Sequence, residues 1–296
     1  RHFRWPGRFR YFAASAADSV YLNPAGNLDL KGFATVLAYF KGTLDKLELQ
    51  PEIYYAGKFK SATEPFRADK ISEPNRLQIQ AFQNSIWNQF LEAAAQYIHA
   101  EKAAVNDLAV KGSVQFPADA VKYKMVAAEL YWDEVEQRIR AKTGRKDNEE
   151  IKYVSINDYD HFDKNDGKII DQKIAVIFAE GEIIDGEQTN GNEIASKTFT
   201  ETIRKVRDND KIKSVVLRIN SPGGSASASD EIWSVLKEAD KKKPVTVSMG
   251  RVAASGGYYI SCSGRSIVAD KGTITGSIGV VAGKIVIKGL LNNIGV

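Results

Sequence analysis

Between residues 174 and 268 the chain alternates short apolar runs with helical faces, and that order leaves few architectures open. Ile174–Phe178 reads as a buried strand, Phe199, Ile203 and Val206 mark a helix face, and Ser214–Ile219 is the next strand. Ile232, Val235, Leu236 and Ala239 mark a second helix face, with further strands at Val245–Met249 and Ser266–Val268. Adjacent parallel strands need a crossover of helical length, so this β-α-β-α order predicts an α/β fold with largely parallel strands.

Two of these strands run into glycine turns, Asn220-Ser221-Pro222-Gly223-Gly224 and Ala253-Ala254-Ser255-Gly256-Gly257. A serine between small residues, where a buried strand gives way to a helix, is placed to be an exposed nucleophile. Backbone N–H groups at such a turn can face a developing negative charge. Two glycine turns from neighbouring strands can together build an oxyanion hole.

The N-terminal half is more helical. Ile79, Phe82, Ile86, Phe90 and Tyr97 share one face of a helix expected over Glu73–Ile98, and Ser72 with Pro74 supplies its start signal. More helix is expected over Ala118–Ala141. The Asp158–Gly167 stretch is rich in Asp, Asn and Lys, but its glycine, Gly167, comes too late for a calcium loop beginning at Asp158. It reads as a polar linker.

The two halves are related by an internal repeat. A shift of 247 residues (258 − 11) sets residues 11–49 against 258–296 without a gap. Identities fall at Tyr11/Tyr258, Ser19/Ser266, Gly32/Gly279, Lys41/Lys288, Gly42/Gly289 and Leu44/Leu291, with Phe12/Tyr259, Val20/Ile267 and Leu47/Ile294 matching in apolar character. The chemistry is not repeated: the partner of Ser255 is Arg8, and that of Ser277 is Leu30.

Composition removes several function classes. The chain has 296 residues, 43% hydrophobic and 26% charged, an ordinary globular balance for two domains. Its net charge of +4 is dispersed, so no nucleic-acid partner is expected. The basic, aromatic start from Arg1 to Arg10 reads as a solvated tail, with contact to anionic lipid as the alternative. One cysteine, Cys262, builds neither a disulfide framework nor a thiolate metal site within a chain. No apolar run reaches the ~18 residues of a membrane span. The chain begins with Arg1 rather than Met, and is expected to be part of a larger protein.

A serine hydroxyl needs a base. His2, His99 and His161 all precede Ser255, and neither His99, at a helix end, nor His161, in the polar stretch, has a catalytic setting. Lysine can serve instead, but an unperturbed lysine, of pKa ~10.4, is neutral only about once in 2,500 at pH 7. A catalytic lysine therefore belongs among apolar and small residues, where burial lowers its pKa. Lys58 and Lys60, in Gly57-Lys58-Phe59-Lys60-Ser61-Ala62, would share one face of a strand, so local pattern does not choose between them.

Four blocks occur here in one order: Gly57-Lys58-Phe59-Lys60-Ser61-Ala62-Thr63-Glu64-Pro65-Phe66, Asn220-Ser221-Pro222-Gly223-Gly224, Ala253-Ala254-Ser255-Gly256-Gly257-Tyr258 and Thr275-Gly276-Ser277-Ile278-Gly279. Together they resemble the signal peptide peptidase A family in its long, two-repeat form, over nearly the whole chain. The resemblance implies two tandem crotonase/Clp-protease-like βα repeats with extra helices. Residues 1–160 would form an N-terminal repeat supplying the lysine, with a helical segment over about 73–141, and residues 161–296 a C-terminal repeat supplying the serine. It implies Ser255 as nucleophile, Lys60 as general base, Ser277 as a residue orienting the lysine, and Gly223 and Gly256 as oxyanion-hole positions. It further implies an endopeptidase without metal or cofactor, acting on apolar, signal-peptide-like substrates. That enzyme would be a homotetramer anchored in the bacterial inner membrane by a segment absent here, and would face the periplasm. Glu64 and Pro65 belong to the motif without an assigned role.

Other patterns fit less well. Gly-x-Ser-x-Gly would need glycine at Ala253. Ser234-x-x-Lys237 and Lys142-Thr143-Gly144 imitate penicillin-binding motifs in reversed order, and Ser-Asp-Asn is absent. A non-catalytic peptide-holding scaffold and an acyl-CoA hydrolase or hydratase are the alternatives from other classes.

Overall fold

The computed structural model describes residues 2–3, 8–155, 171–189 and 191–296; the Asp158–Gly167 stretch and His161 lie outside them. The chain divides into two compact units, one of Arg1–Ala34 with Gln83–Lys168, the other of Thr35–Phe82 with Ile169–Val296. The Glu73–Ile98 helix carries the chain from the second unit into the first.

The second unit is built on a parallel sheet. Its strands lie in the order Ser266–Val268, Val245–Ala254, Ile212–Ser221, Lys173–Glu180, and a short strand, Ile274–Gly276, also pairs with Val245–Ala254. The apolar runs form strands because alternate residues meet one core. Val215, Leu217 and Ile219 are buried beside Val245, Val247 and Met249. Ser196–Asp208 and Ala226–Lys242 supply the crossover helices, and Ile203, Ile232, Leu236 and Ala239 close over that face. The α/β class and its parallel strands are thus as the sequence predicts, but Ile174–Phe178 is not a buried strand. It lies at the sheet edge, and Ile174, Val176 and Phe178 are exposed on the face the helices do not cover, leaving Ile177 and Ala179 to the core.

The Val245–Ala254 strand is longer than its apolar run. The pairing with Ile212–Ser221 shifts between Ile219 and Ser221, which carries the strand past Gly250 and Arg251 before Ser221 meets Ala253. This irregularity brings the two glycine turns side by side.

A separate antiparallel ladder pairs Gln50–Tyr55 with Val281–Val286, from Val281 opposite Tyr55 to Val286 opposite Gln50. The shift of 247 residues found in the sequence sets the Lys41–Lys46 helix on the Lys288–Asn293 helix, end to end.

The first unit has its own core, including Tyr11, Leu22, Leu28, Phe90, Val105 and Met125. The Tyr11 hydroxyl donates to the Met125 carbonyl oxygen at 2.8 Å. The helix expected over Ala118–Ala141 is interrupted: Pro117–Lys122 and Trp132–Thr143 are helical, but the backbone between them is not. Ala127 N–H donates to Val20 O and Leu130 N–H to Leu22 O, and Ala128–Glu129 pairs with Tyr21–Leu22. Strand pairing and burial of Met125 and Val126 override the local helical preference. Glu73–Ile98 forms with the predicted limits, and the Ser72 hydroxyl accepts from Asn75 N–H at 3.3 Å as the start signal implied.

Candidate active site

Ser255 sits at the end of the Val245–Ala254 strand and caps the six-residue helix Gly256–Ser261. Its φ of 52° is a conformation that L-residues seldom adopt. That strain turns the side chain out of the strand while the backbone stays anchored. Ser255 N–H donates to Gly276 O at 2.9 Å, and Ser255 O accepts from Tyr259 N–H at 2.8 Å.

Lys60 lies on a turn that leaves the Gln50–Tyr55 strand, its N–H donating to Gly57 O at 3.1 Å. It is 7% exposed, whereas Lys58 faces solvent with its amine 5.2 Å from the Phe59 ring centre. The structure therefore separates the two lysines that the strand pattern could not. Lys60 Nζ is 3.2 Å from Ser255 Oγ, 3.0 Å from Ser277 Oγ and 2.7 Å from Ser277 O. Ser277 follows the Ile274–Gly276 strand, also with positive φ, 48°. Burial pushes the Lys60 amine below its ordinary pKa, and among the described residues no carboxylate pairs with it to oppose that shift.

The glycine turns meet beside the serine. A Cβ on Gly223, whose φ is +103°, would lie 2.6 Å from Gly256 N and 2.7 Å from Ser255 Cβ, so no larger residue fits there. Gly223 N–H donates to Ser221 Oγ at 3.1 Å, a bond that an incoming oxyanion would have to share or displace. Gly279, in the last quoted block, had no role in the sequence reading. Its φ is +141°, and a Cβ there would come 2.5 Å from Ala56 O and 3.5 Å from Lys60 Cδ and Cγ. It lets the backbone pass close to Ala56 O, with the lysine stem at ordinary contact distance, and its place two residues after Ser277 was the available signal.

Thus Ser255, Lys60 and Ser277 come together, with Gly223 and Gly256 against the serine. His99 belongs to the other unit. No cluster of three or more His, Cys, Asp or Glu side chains able to hold a metal occurs among the described residues.

The class these features define is an α/β protein with a parallel sheet whose inner strand ends in a strained serine facing a buried amine. More particularly, residues 9–146 and 237–296 match the model of peptidase family S49, and the chain belongs to that family. It is 38% identical over 295 residues to "Protease 4" of Salmonella typhi, covering 97% of this chain and 47% of that protein. It is 34% identical to "Protease 4" of Haemophilus influenzae (92% and 46%) and 30% identical to the chloroplastic "Serine protease SPPA" of Arabidopsis thaliana (98% and 43%). The chain spans about half the length of these relatives. Among solved structures, a ClpP1 mutant from Listeria monocytogenes overlaps 30% of this chain and 46% of its own at 21% identity. Its TM-score of 0.25 is too low to bear on function.

Proposed function

We propose that this chain carries the catalytic centre of a serine endopeptidase in which Ser255 is the nucleophile and Lys60 the general base. The observation that carries this reading is the 3.2 Å separation of Lys60 Nζ and Ser255 Oγ at a buried amine that pairs with no carboxylate among the described residues. A neutral lysine keeps two N–H donors and one lone pair. Ser277 O and Oγ take the two donors, which aims the lone pair at the Ser255 hydroxyl.

In the proposed mechanism Lys60 removes the proton as Ser255 Oγ attacks a peptide carbonyl. Backbone N–H groups at Gly223 and Gly256 receive the oxyanion, a contribution of about 3–4 kcal/mol for a donor of this kind. The Lys60 ammonium then protonates the leaving amine as the peptide C–N bond breaks. Water, giving a proton to the neutral Lys60 amine, attacks the ester, and Lys60 returns that proton to Ser255 Oγ as the ester bond breaks.

Apolar peptides are the proposed substrates. Tyr54 (68% exposed), Ile278 (73%) and Val280 (60%) present uncovered apolar surface on the segments that carry Lys60 and Ser277. Released signal peptides, a homotetramer, and a membrane-anchored protein facing the periplasm are proposed from the family resemblance alone. So is the division into repeats at 1–160 and 161–296. No described helix is long and apolar enough to cross a membrane.

The test is hydrolysis of an apolar chromogenic peptide by the full-length protein, with labelling by a serine-directed fluorophosphonate. Ser255→Ala and Lys60→Ala are each expected to lower turnover by roughly 10⁴-fold or more, as loss of a member of a hydrolytic triad does. Turnover retained by either variant would remove the pair from the mechanism. A Ser255→Ala protein that still hydrolyses acyl-CoA would favour the thioester reading.

A further inference from the structure

The turn that presents Lys60 is fastened from behind by a buried acid. Glu64, four residues further on, is 1% exposed. One carboxylate oxygen accepts from Asn75 Nδ2 at 2.5 Å and lies 3.4 Å from the Tyr39 hydroxyl; the other accepts from Ser72 N–H at 3.2 Å. Asn75 Oδ1 accepts from Gln78 Nε2 at 2.9 Å, and the same amide donates to Ser61 Oγ at 2.6 Å. The path Glu64–Asn75–Gln78–Ser61 thus closes on the residue next to Lys60. Its two middle members stand on the first turns of the Glu73–Ile98 helix, whose N-terminus favours negative charge.

Burial pushes the Glu64 carboxyl pKa up, but the bonds from Ser72 and Asn75, with Arg67 nearby, outweigh it and hold the group below the usual carboxylate range. The charge is spent on these partners. The Lys60 amine carries no shift from it, since burial alone accounts for its lowered pKa.

We propose that Glu64 is a positioning residue for the base: locked to Ser72 and Asn75, it holds the Gly57–Glu64 turn so that Lys60 Nζ stays beside Ser255 Oγ. Glu64 touches no reacting atom. The assignment rests on the Ser255–Lys60 reading given above. Without the carboxylate, Asn75 and Ser72 lose their acceptor, the turn loosens from the helix, and the amine drifts toward water. A loosely placed base is slower, and a hydrated amine recovers an ordinary pKa.

The experiment uses the full-length protein with Glu64→Ala, Glu64→Gln, Gln78→Ala and Ser255→Ala. It follows fluorophosphonate labelling against pH, kcat and KM for an apolar chromogenic peptide, and the melting temperature. Glu64→Ala is expected to lower kcat roughly 100-fold with KM within about twofold. Its labelling profile should move about one pH unit or more toward alkali as the amine regains water. Glu64→Gln, which keeps a carbonyl acceptor, should recover part of both changes, and Gln78→Ala should show a smaller alkaline displacement. Glu64 and Gln78 variants that melt earlier but label with the wild-type pH profile would overturn the proposal, leaving Glu64 a purely structural group. Should Glu64→Ala not fold, the profiles of Glu64→Gln and Gln78→Ala decide in the same way. A wild type that neither labels nor cleaves, or a Ser255→Ala protein that labels equally well, would instead defeat the serine–lysine reading and the role of Glu64 with it.

Discussion

At the scale of the residue, the site depends on a lysine that folding makes less basic. Burial lowers the Lys60 amine below its ordinary 10.5. Between the lowered value and 10.5 the unfolded chain holds a proton that the native chain has released, so stability rises with pH across that window. Below the native value both states are charged and the full penalty applies; above 10.5 both are neutral and it is gone. Urea denaturation from neutral to alkaline pH should therefore show wild type gaining on Lys60→Met as pH rises through the window; parallel curves would contradict it. Activity should rise in the same direction, as the native amine loses its proton. This residue shows what a sequence can and cannot display. Small and apolar neighbours made the Lys58–Lys60 stretch compatible with a base, but local pattern alone left it an ordinary solvated stretch. Only the four-block resemblance chose between the two lysines in the sequence, because the partner that receives the Lys60 amine, Ser277, is more than two hundred positions away. Glu64 was silent for a similar reason: its partners are donors on a different element, and no local pattern announces them.

At the scale of the element, the repeat makes a sharp comparison. Gly42 and Gly289 occupy the same place in two six-residue helices, Lys41–Lys46 and Lys288–Asn293. A Cβ on Gly42 would meet nothing within 4 Å, whereas one on Gly289 would come 2.7 Å from Glu48 Cβ and 2.8 Å from Glu48 O. Gly42→Ala is expected to stabilise by about 0.4–1 kcal/mol and Gly289→Ala to destabilise by about 1–3 kcal/mol, measured by chemical denaturation. Equal effects would mean that the close contact does not discriminate between the copies. The two inner strands of the parallel sheet, Ile212–Ser221 and Val245–Ala254, were legible because each carries an aliphatic run meeting one core. The exposed Ser266–Val268 strand was legible from its apolar run alone. The break in the Ala118–Ala141 stretch was not, because its cause is a pairing with Tyr21–Leu22, about a hundred residues away in sequence.

At the scale of the whole molecule, each compact unit carries a separate hydrophobic cluster, one around Leu22 and Met125, the other around Leu217 and Ile232. Calorimetry is expected to resolve two unfolding transitions, with Leu22→Ala and Leu217→Ala each costing about 2–5 kcal/mol and each displacing a different one. A single transition moved equally by both would show that the units melt as one. The ladder between Gln50–Tyr55 and Val281–Val286 carries a further consequence. During synthesis the amine leaves the ribosome long before the alcohol, and the strand that clasps the two arms together emerges later still. A half-made chain therefore carries Lys60 without Ser255, and the proposed pair is assembled only once the last strand has emerged.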